Sequence, residues 1–242
     1  MNTPSPRIER ISEDALLLRL GDGVDPALNR NVHRLVERLD AARIPGVREL
    51  APAYASVLVR LDLATCLERA SLDACLAQLL ARLDPPAGNA GRSDEVPIPA
   101  ATPFSIPVCY GGVHGPDLDA VAAHTGLSPA EVIERHGRAD YQVAMLGFAP
   151  GFAYLLGLPD ELRMPRRADP RLRVPPGSVA IGGIQTGIYP SQLPGGWNLI
   201  GRTPLRLFDP MREPPCLLAA GQAVRFRAID TDEFARLEAE TR

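Results

Sequence analysis

The sequence predicts an α+β protein in two parts, a small α+β sandwich followed by a β-barrel. Three observations predict it. In the first third, apolar residues at helical spacing alternate with stretches of strand-like alternation. A stretch rich in proline and poor in apolar residues then covers 84–103, DPPAGNAGRSDEVPIPAATP. From Tyr141 to Arg227 the apolar pieces are short and punctuated by proline and glycine, which suits strands and turns and leaves no room for helices.

Each element has its own signal. Residues 7–20 end in an apolar run and meet Gly-Asp-Gly, a strand or hairpin entering a turn. Asp25-Pro26 offers an N-cap and a proline at the first helical position. Leu28, Val32, Leu35, Val36 and Leu39 then mark an amphipathic helix over 26–42, stopped by Ile44-Pro45-Gly46. Residues 47–62 alternate but are interrupted at Ala51-Pro52-Ala53, which reads as two strands or one with a bulge. A second helix is expected over 66–83, through Leu67, Leu72, Leu76, Leu79 and Leu83. The linker sets the expected domains at 1–90 and 91–242. The second part opens with a strand at Phe104–Tyr110. Asp117 is expected to cap a short helix reaching His124. Ser128-Pro129-Ala130-Glu131 matches a capping box for a helix to about His136, with Gly137 as its stop. A short helix over 231–237 closes the chain.

Composition excludes several chemistries. All 26 basic residues are arginine, so a P-loop lysine, a Schiff-base lysine and a biotinylated lysine are ruled out. Net charge is −3, which argues against a broad nucleic-acid surface. The four cysteines (66, 75, 109, 216) form no CxxC, and the four histidines show no metal-ligand spacing. Free thiols in a cytoplasmic protein are expected. The N-terminal stretch has no signal-peptide pattern. The longest nearly uncharged run, 141–159, is broken by Gly147, Pro150, Gly151 and Gly157 and does not suit a membrane helix.

Candidate chemistry concentrates between Gly147 and Pro204, which holds ten glycines and nine prolines. Such loops have defined shape, and glycines such as Gly151 let backbone approach a ligand; barrel corners alone also need these residues. Between them stand polar residues of the right kind. Gln185 and Asn198 each donate and accept, as recognition of an amide requires. Tyr189 adds a hydroxyl. Trp197, the sole tryptophan, suits either covering a flat ligand or plugging a barrel end. Arg202 offers a fork for carboxylate or phosphate, or a surface ion pair. Residues 161–173 carry five arginines, Arg166 among them, against two acids: an anion-binding rim or a solvated loop. His136 is the best general-base candidate by position; the plainer reading is a partner of the helix C-terminus.

Five ordered blocks resemble one family: Gly147-Phe148-Ala149-Pro150-Gly151-Phe152-Ala153-Tyr154-Leu155; Pro165-Arg166-Arg167; Val174-Pro175-Pro176-Gly177-Ser178-Val179-Ala180-Ile181; Gln185-Thr186-Gly187 with Tyr189-Pro190; and Pro194-Gly195-Gly196-Trp197-Asn198-Leu199-Ile200-Gly201-Arg202-Thr203-Pro204. The family is named variously for the B subunit of 5-oxoprolinase, allophanate hydrolase subunit 1 and KipI. It also resembles the second half of the carboxyltransferase region of urea carboxylase.

The resemblance implies that the barrel is cyclophilin-like. It implies a larger carboxyltransferase-like partner, the C-type subunit, with the site formed between the two, and a third, A-type subunit. ATP with Mg²⁺ in that complex would drive opening of 5-oxo-L-proline to L-glutamate. An unstrained lactam is resonance-stabilised, and phosphorylating its oxygen creates a leaving group. Side-chain chemistry then suggests His136 as base, Arg166 and Arg202 as anion forks, and Gln185 and Asn198 as amide readers. The resemblance marks these positions only as motif residues. Two alternatives stay open: a carboxyl-transfer or allophanate-type subunit, and a KipI-like inhibitor of a sensor histidine kinase.

Overall fold

A computed structural model describes residues 7–65, 77, 81 and 102–241. The chain divides into two compact units, Met1–Pro99 and Ala100–Arg242. The helix expected over 66–83 and the linker over 84–103 lie outside the described residues, apart from positions 77, 81, 102 and 103.

In the first unit, strands β1 (Arg7–Ser12) and β2 (Ala15–Arg19) form a hairpin. Strands β3 (Val47–Pro52) and β4 (Ser56–Leu61) complete an antiparallel sheet in the order β1-β2-β4-β3, so the interrupted 47–62 segment is two strands. Helix α1 (Pro26–Ala42) begins where Asp25 accepts the Leu28 N–H at 2.7 Å. Its apolar stripe, Val32, Leu35 and Leu39, is buried with Leu16, Leu18, Val57, Val59 and Leu61 of the sheet. Asn29 interrupts that stripe. It is fully buried, and its amide donates to the carbonyls of Ala53 and Tyr54. A polar side chain is tolerated there because it satisfies carbonyls in the β3–β4 turn.

The second unit is a closed barrel of seven strands. They are β5 (Phe104–Tyr110), β6 (Tyr141–Leu146), β7 (Ala153–Leu156), β9 (Ser178–Gly182), β10 (Gln185–Ile188), β12 (Asn198–Arg202) and β13 (Ala223–Ile229). Around the barrel the order is β10-β7-β6-β13-β5-β12-β9; β13 and β5 run parallel and the other pairs antiparallel. A two-stranded ribbon, β8 (Arg171–Val174) with β11 (Leu193–Gly195), stands outside this ring. Ile106, Val108, Val143, Leu155, Val179, Ile181, Ile188 and Ile200 fill the core from alternate strand positions.

Helices α2 (Leu118–Thr125) and α3 (Pro129–Arg138) pack on each other, and α3 also packs on β13. The Ser128–Glu131 capping box forms as the sequence predicts. Gly137 does not stop α3, which runs one residue further to Arg138, with Ala139 as its C-cap. The terminal helix α4 (Thr231–Glu240) is longer than expected and buries Phe234. Asp117 stands at the start of α2, yet its side chain makes no cap. Stronger charged donors compete for it, as described below.

Candidate functional site

The turn between β6 and β7 builds one wall of a small cleft. Phe148 holds φ +69° there, a left-handed conformation that L side chains rarely adopt, and its ring is 62% exposed. Gly151, at φ +80°, lets the turn close: a Cβ would lie 2.7 Å from the Phe208 Cβ. Phe152 returns inward and is buried. Its ring meets Phe148, Tyr189 and Trp197 edge-on, with centroids 5.4, 5.2 and 5.9 Å away, and lies tilted 4.7 Å from Tyr154. Pro194, Gly195 and Gly196 close the other side, around about 220 Å³ of space.

Gly195 is required by close approach, because a Cβ would collide with the Tyr189 hydroxyl. Burial raises the phenols of Tyr154 and Tyr189 above their ordinary value; a hydrogen bond with the Trp197 backbone opposes the shift at Tyr189, and the Arg166 guanidinium opposes it at both. Both rings therefore keep their protons at neutral pH and remain O–H donors.

Arg166 is exposed at the cleft and has no hydrogen bond or ion pair among the described residues. Its neighbours are held. Asn198 donates to the Pro165 carbonyl at 2.9 Å, and the Arg167 N–H donates to the Gly196 carbonyl at 2.7 Å. Aromatic walls, two phenols and one uncommitted guanidinium suit a small flat ligand carrying a carboxylate.

Residues 6–218 match the family model described as Carboxyltransferase domain, subdomain C and D. The chain belongs to this family. Among relatives of this subdomain C and D protein, the 5-oxoprolinase B subunit of Bacillus subtilis is 38% identical over 228 residues, 94% of this chain and 95% of that one. The Escherichia coli O157:H7 protein of the same name is 46% identical over 216 residues, 89% of this chain and 93% of that one. The crystal structure of TTHA0988 superposes with a TM-score of 0.72 at 36% identity, covering 90% of this chain and 40% of that longer chain. Kluyveromyces lactis urea carboxylase shares the fold, with a TM-score of 0.68 at 18% identity over 98% of this chain and 23% of that one. The expected α+β organisation with a C-terminal barrel agrees with the closed barrel and these neighbours.

Of the residues singled out from sequence, Arg166, Tyr189 and Trp197 line the cleft together, with Gly151 in the turn beside it. The three assigned catalytic roles do not converge. His136 is fully buried. Thr186 Oγ1 donates to the Ala180 carbonyl, so it accepts the His136 Nε2–H at 3.1 Å. His136 Nδ1 then accepts the Tyr110 hydroxyl at 2.8 Å. This assigns a neutral imidazole with both nitrogens occupied, stacked on Phe226 at 4.5 Å. Burial pushes its pKa down to about 3. Such a ring is committed on both nitrogens inside the fold and does not line the cleft.

Asn198 is 2% exposed, and its amide donates to the carbonyls of Pro165 and Ile181, so it stitches a loop and does not line the cleft. Gln185 is buried on β10 and is not among the cleft-lining residues. Arg202 lines a different cleft of about 670 Å³ with Pro150, Pro190 and Phe208. There its Nε donates to the Pro176 carbonyl at 2.8 Å, Nη2 faces Glu238 at 3.5 Å, and the guanidinium lies over the Phe234 ring. It braces α4 against the barrel. The Pro150–Phe152 turn and Tyr189–Pro190 separate the two clefts.

Cys109 is buried, with its thiol pushed up by burial. Among the described residues no group of His, Cys, Asp or Glu is placed to hold a metal ion, and no helix is long and apolar enough to cross a membrane. Sequence reasoning missed Phe148, Phe152 and Tyr154 as individual wall residues. Their signal is the aromatic spacing within Gly147–Leu155, which reads as one motif until the fold separates its members.

Proposed function

We propose that this chain is the B-type subunit of an ATP-dependent 5-oxoprolinase that opens 5-oxo-L-proline to L-glutamate in the cytoplasm. The observation that carries the reading is identity of 38% and 46% to proteins named as the B subunit of 5-oxoprolinase, over nearly the full length of both partners. The cleft chemistry supports it. Arg166 forks the substrate carboxylate, the aromatic rings flank the flat lactam, and the phenols of Tyr154 and Tyr189 donate toward its carbonyl oxygen.

The described cleft residues include no histidine and no carboxylate. On this reading the general base for water, the ATP with its Mg²⁺ and the phosphoryl-transfer groups lie outside this cleft, in the complex with the larger C-type subunit and the A-type subunit. The carboxyl-transfer reading has only fold-level likeness behind it, which is weak warrant for chemistry.

The test is 5-oxoproline-dependent ATP hydrolysis by this chain alone and by the co-expressed complex. Turnover is expected only from the complex. Robust turnover by the lone chain, or none by an intact complex, overturns the proposal.

A further inference from the structure

We propose that Asp117 is a positioning residue that sets the charge class of ligand the cleft accepts. It holds the guanidinium groups of Arg167 and Arg171, which do not line the cleft, while Arg166 lines it with no hydrogen bond or ion pair among the described residues. The cleft then selects a single carboxylate over a polyanion. The inference rests on the cleft being the substrate site.

The Asp117 carboxylate is 7% exposed and saturated with donors. Arg171 forks it with Nη1 and Nη2, each at 2.8 Å. Arg167 Nη1 donates at 3.1 Å, and the Leu199 N–H at 2.7 Å. The Asp117 N–H in turn donates to the Leu199 carbonyl at 2.9 Å. One buried carboxylate thus ties the arginine-rich loop to the strand that follows Trp197. Charge-assisted forks of this kind are strong and directional, which is why the side chain abandons the helix cap.

The consequence for charge is specific. The 161–173 loop carries five arginines in sequence. Arg163 pairs with Asp160, and Arg167 and Arg171 share Asp117. Arg173 is exposed and does not line the cleft. Arg166 alone is presented there, between two neighbours pinned by Asn198 and Gly196. Arg171 is still close enough to act electrostatically on Tyr189, which lines the cleft, so releasing it would be felt inside. A polyanion needs several convergent cations; one planar fork matches one carboxylate.

Trp197 is the sole tryptophan and lines the cleft, so intrinsic fluorescence reads occupancy. The full chain is titrated with 5-oxo-L-proline and, at matched ionic strength, with inorganic pyrophosphate. Wild type is expected to bind 5-oxo-L-proline more tightly. Asp117→Asn is isosteric, removes one negative charge and loosens two guanidinium groups. The ratio of the two dissociation constants should move toward pyrophosphate by roughly 10-fold. Arg171→Gln lowers the local charge by one while Asp117 keeps Arg167 and Leu199. It should move the ratio the opposite way, and it tests the same dependence where Asp117→Asn does not fold. Equal weakening of both probes in the variants overturns the role of Asp117 and leaves the cleft assignment standing. A wild type that binds neither probe removes the cleft assignment and the role of Asp117 with it.

Discussion

His136 carries the sharpest consequence at the residue scale. Its ordinary pKa near 6.5 falls to about 3 in the folded chain because the charged form is desolvated. Between those values the unfolded chain binds the extra proton, so stability rises with pH and is lost as pH falls below about 6.5. By pH 5 the loss from this one group is on the order of 2 kcal/mol. Thermal midpoints followed from pH 8 to pH 4.5 should show the decline, and His136→Gln should flatten it even where it lowers the midpoint throughout. An unchanged slope in the variant would sink the buried-neutral assignment.

Arg166 behaves differently, because it is exposed and carries no hydrogen bond or ion pair among the described residues. Arg166→Ala should cost roughly 10- to 150-fold in kcat/KM of the reconstituted complex, the worth of a hydrogen bond to a charged group at ~1.5–3 kcal/mol. Arg166→Lys should not restore it, since an ammonium offers no planar fork. Normal midpoints are expected for both. Asn198→Asp should show the reverse pattern. It buries a carboxylate against two carbonyls, and a loss on the order of 3 kcal/mol in unfolding free energy is expected from denaturant titration.

At the scale of elements, local signals and tertiary competition can be separated. The α3 capping box was legible because both partners lie within four residues of each other. Asp117 looked like an equally good cap, yet its carboxylate serves arginines 50 and 54 positions away. No local window contains that information. The β6–β7 turn makes the same point in backbone terms. Gly151 combines a left-handed φ with a blocked Cβ position, so Gly151→Ala should destabilise by more than ~1 kcal/mol, measured as a shift in denaturant midpoint. Gly23, also left-handed but with open space around its Cβ position, is the control: Gly23→Ala should cost less. Equal costs would mean that the close approach to Phe208 contributes nothing.

The whole molecule has separate cores. Leu16, Leu18, Val32, Leu35 and Val57 form one, and the barrel residues around Ile106, Leu155 and Ile181 form another. Residues 100–242 expressed alone should therefore fold cooperatively and retain buried-Trp197 fluorescence; a molten spectrum would contradict the division. Limited proteolysis of the full chain should cut first within 84–103, where the composition offers few apolar anchors, giving fragments near 1–90 and 100–242.

The order of the described elements, the α+β class and the strand-and-turn nature of 141–227 were determined by the sequence alone, because apolar period, caps and proline–glycine punctuation act within a few residues. Arg166, Tyr189 and Trp197 were singled out by their residue types, and the fold places them around one cleft. Only the tertiary structure decided that His136 lies inside the barrel, that Asn198 is a stitch, that Arg202 belongs to another cleft and that Asp117 binds two arginines. Each of those outcomes depends on burial and on which partner competes best for a polar group. Both are set by residues distant in the chain, which closure of the barrel alone brings into contact.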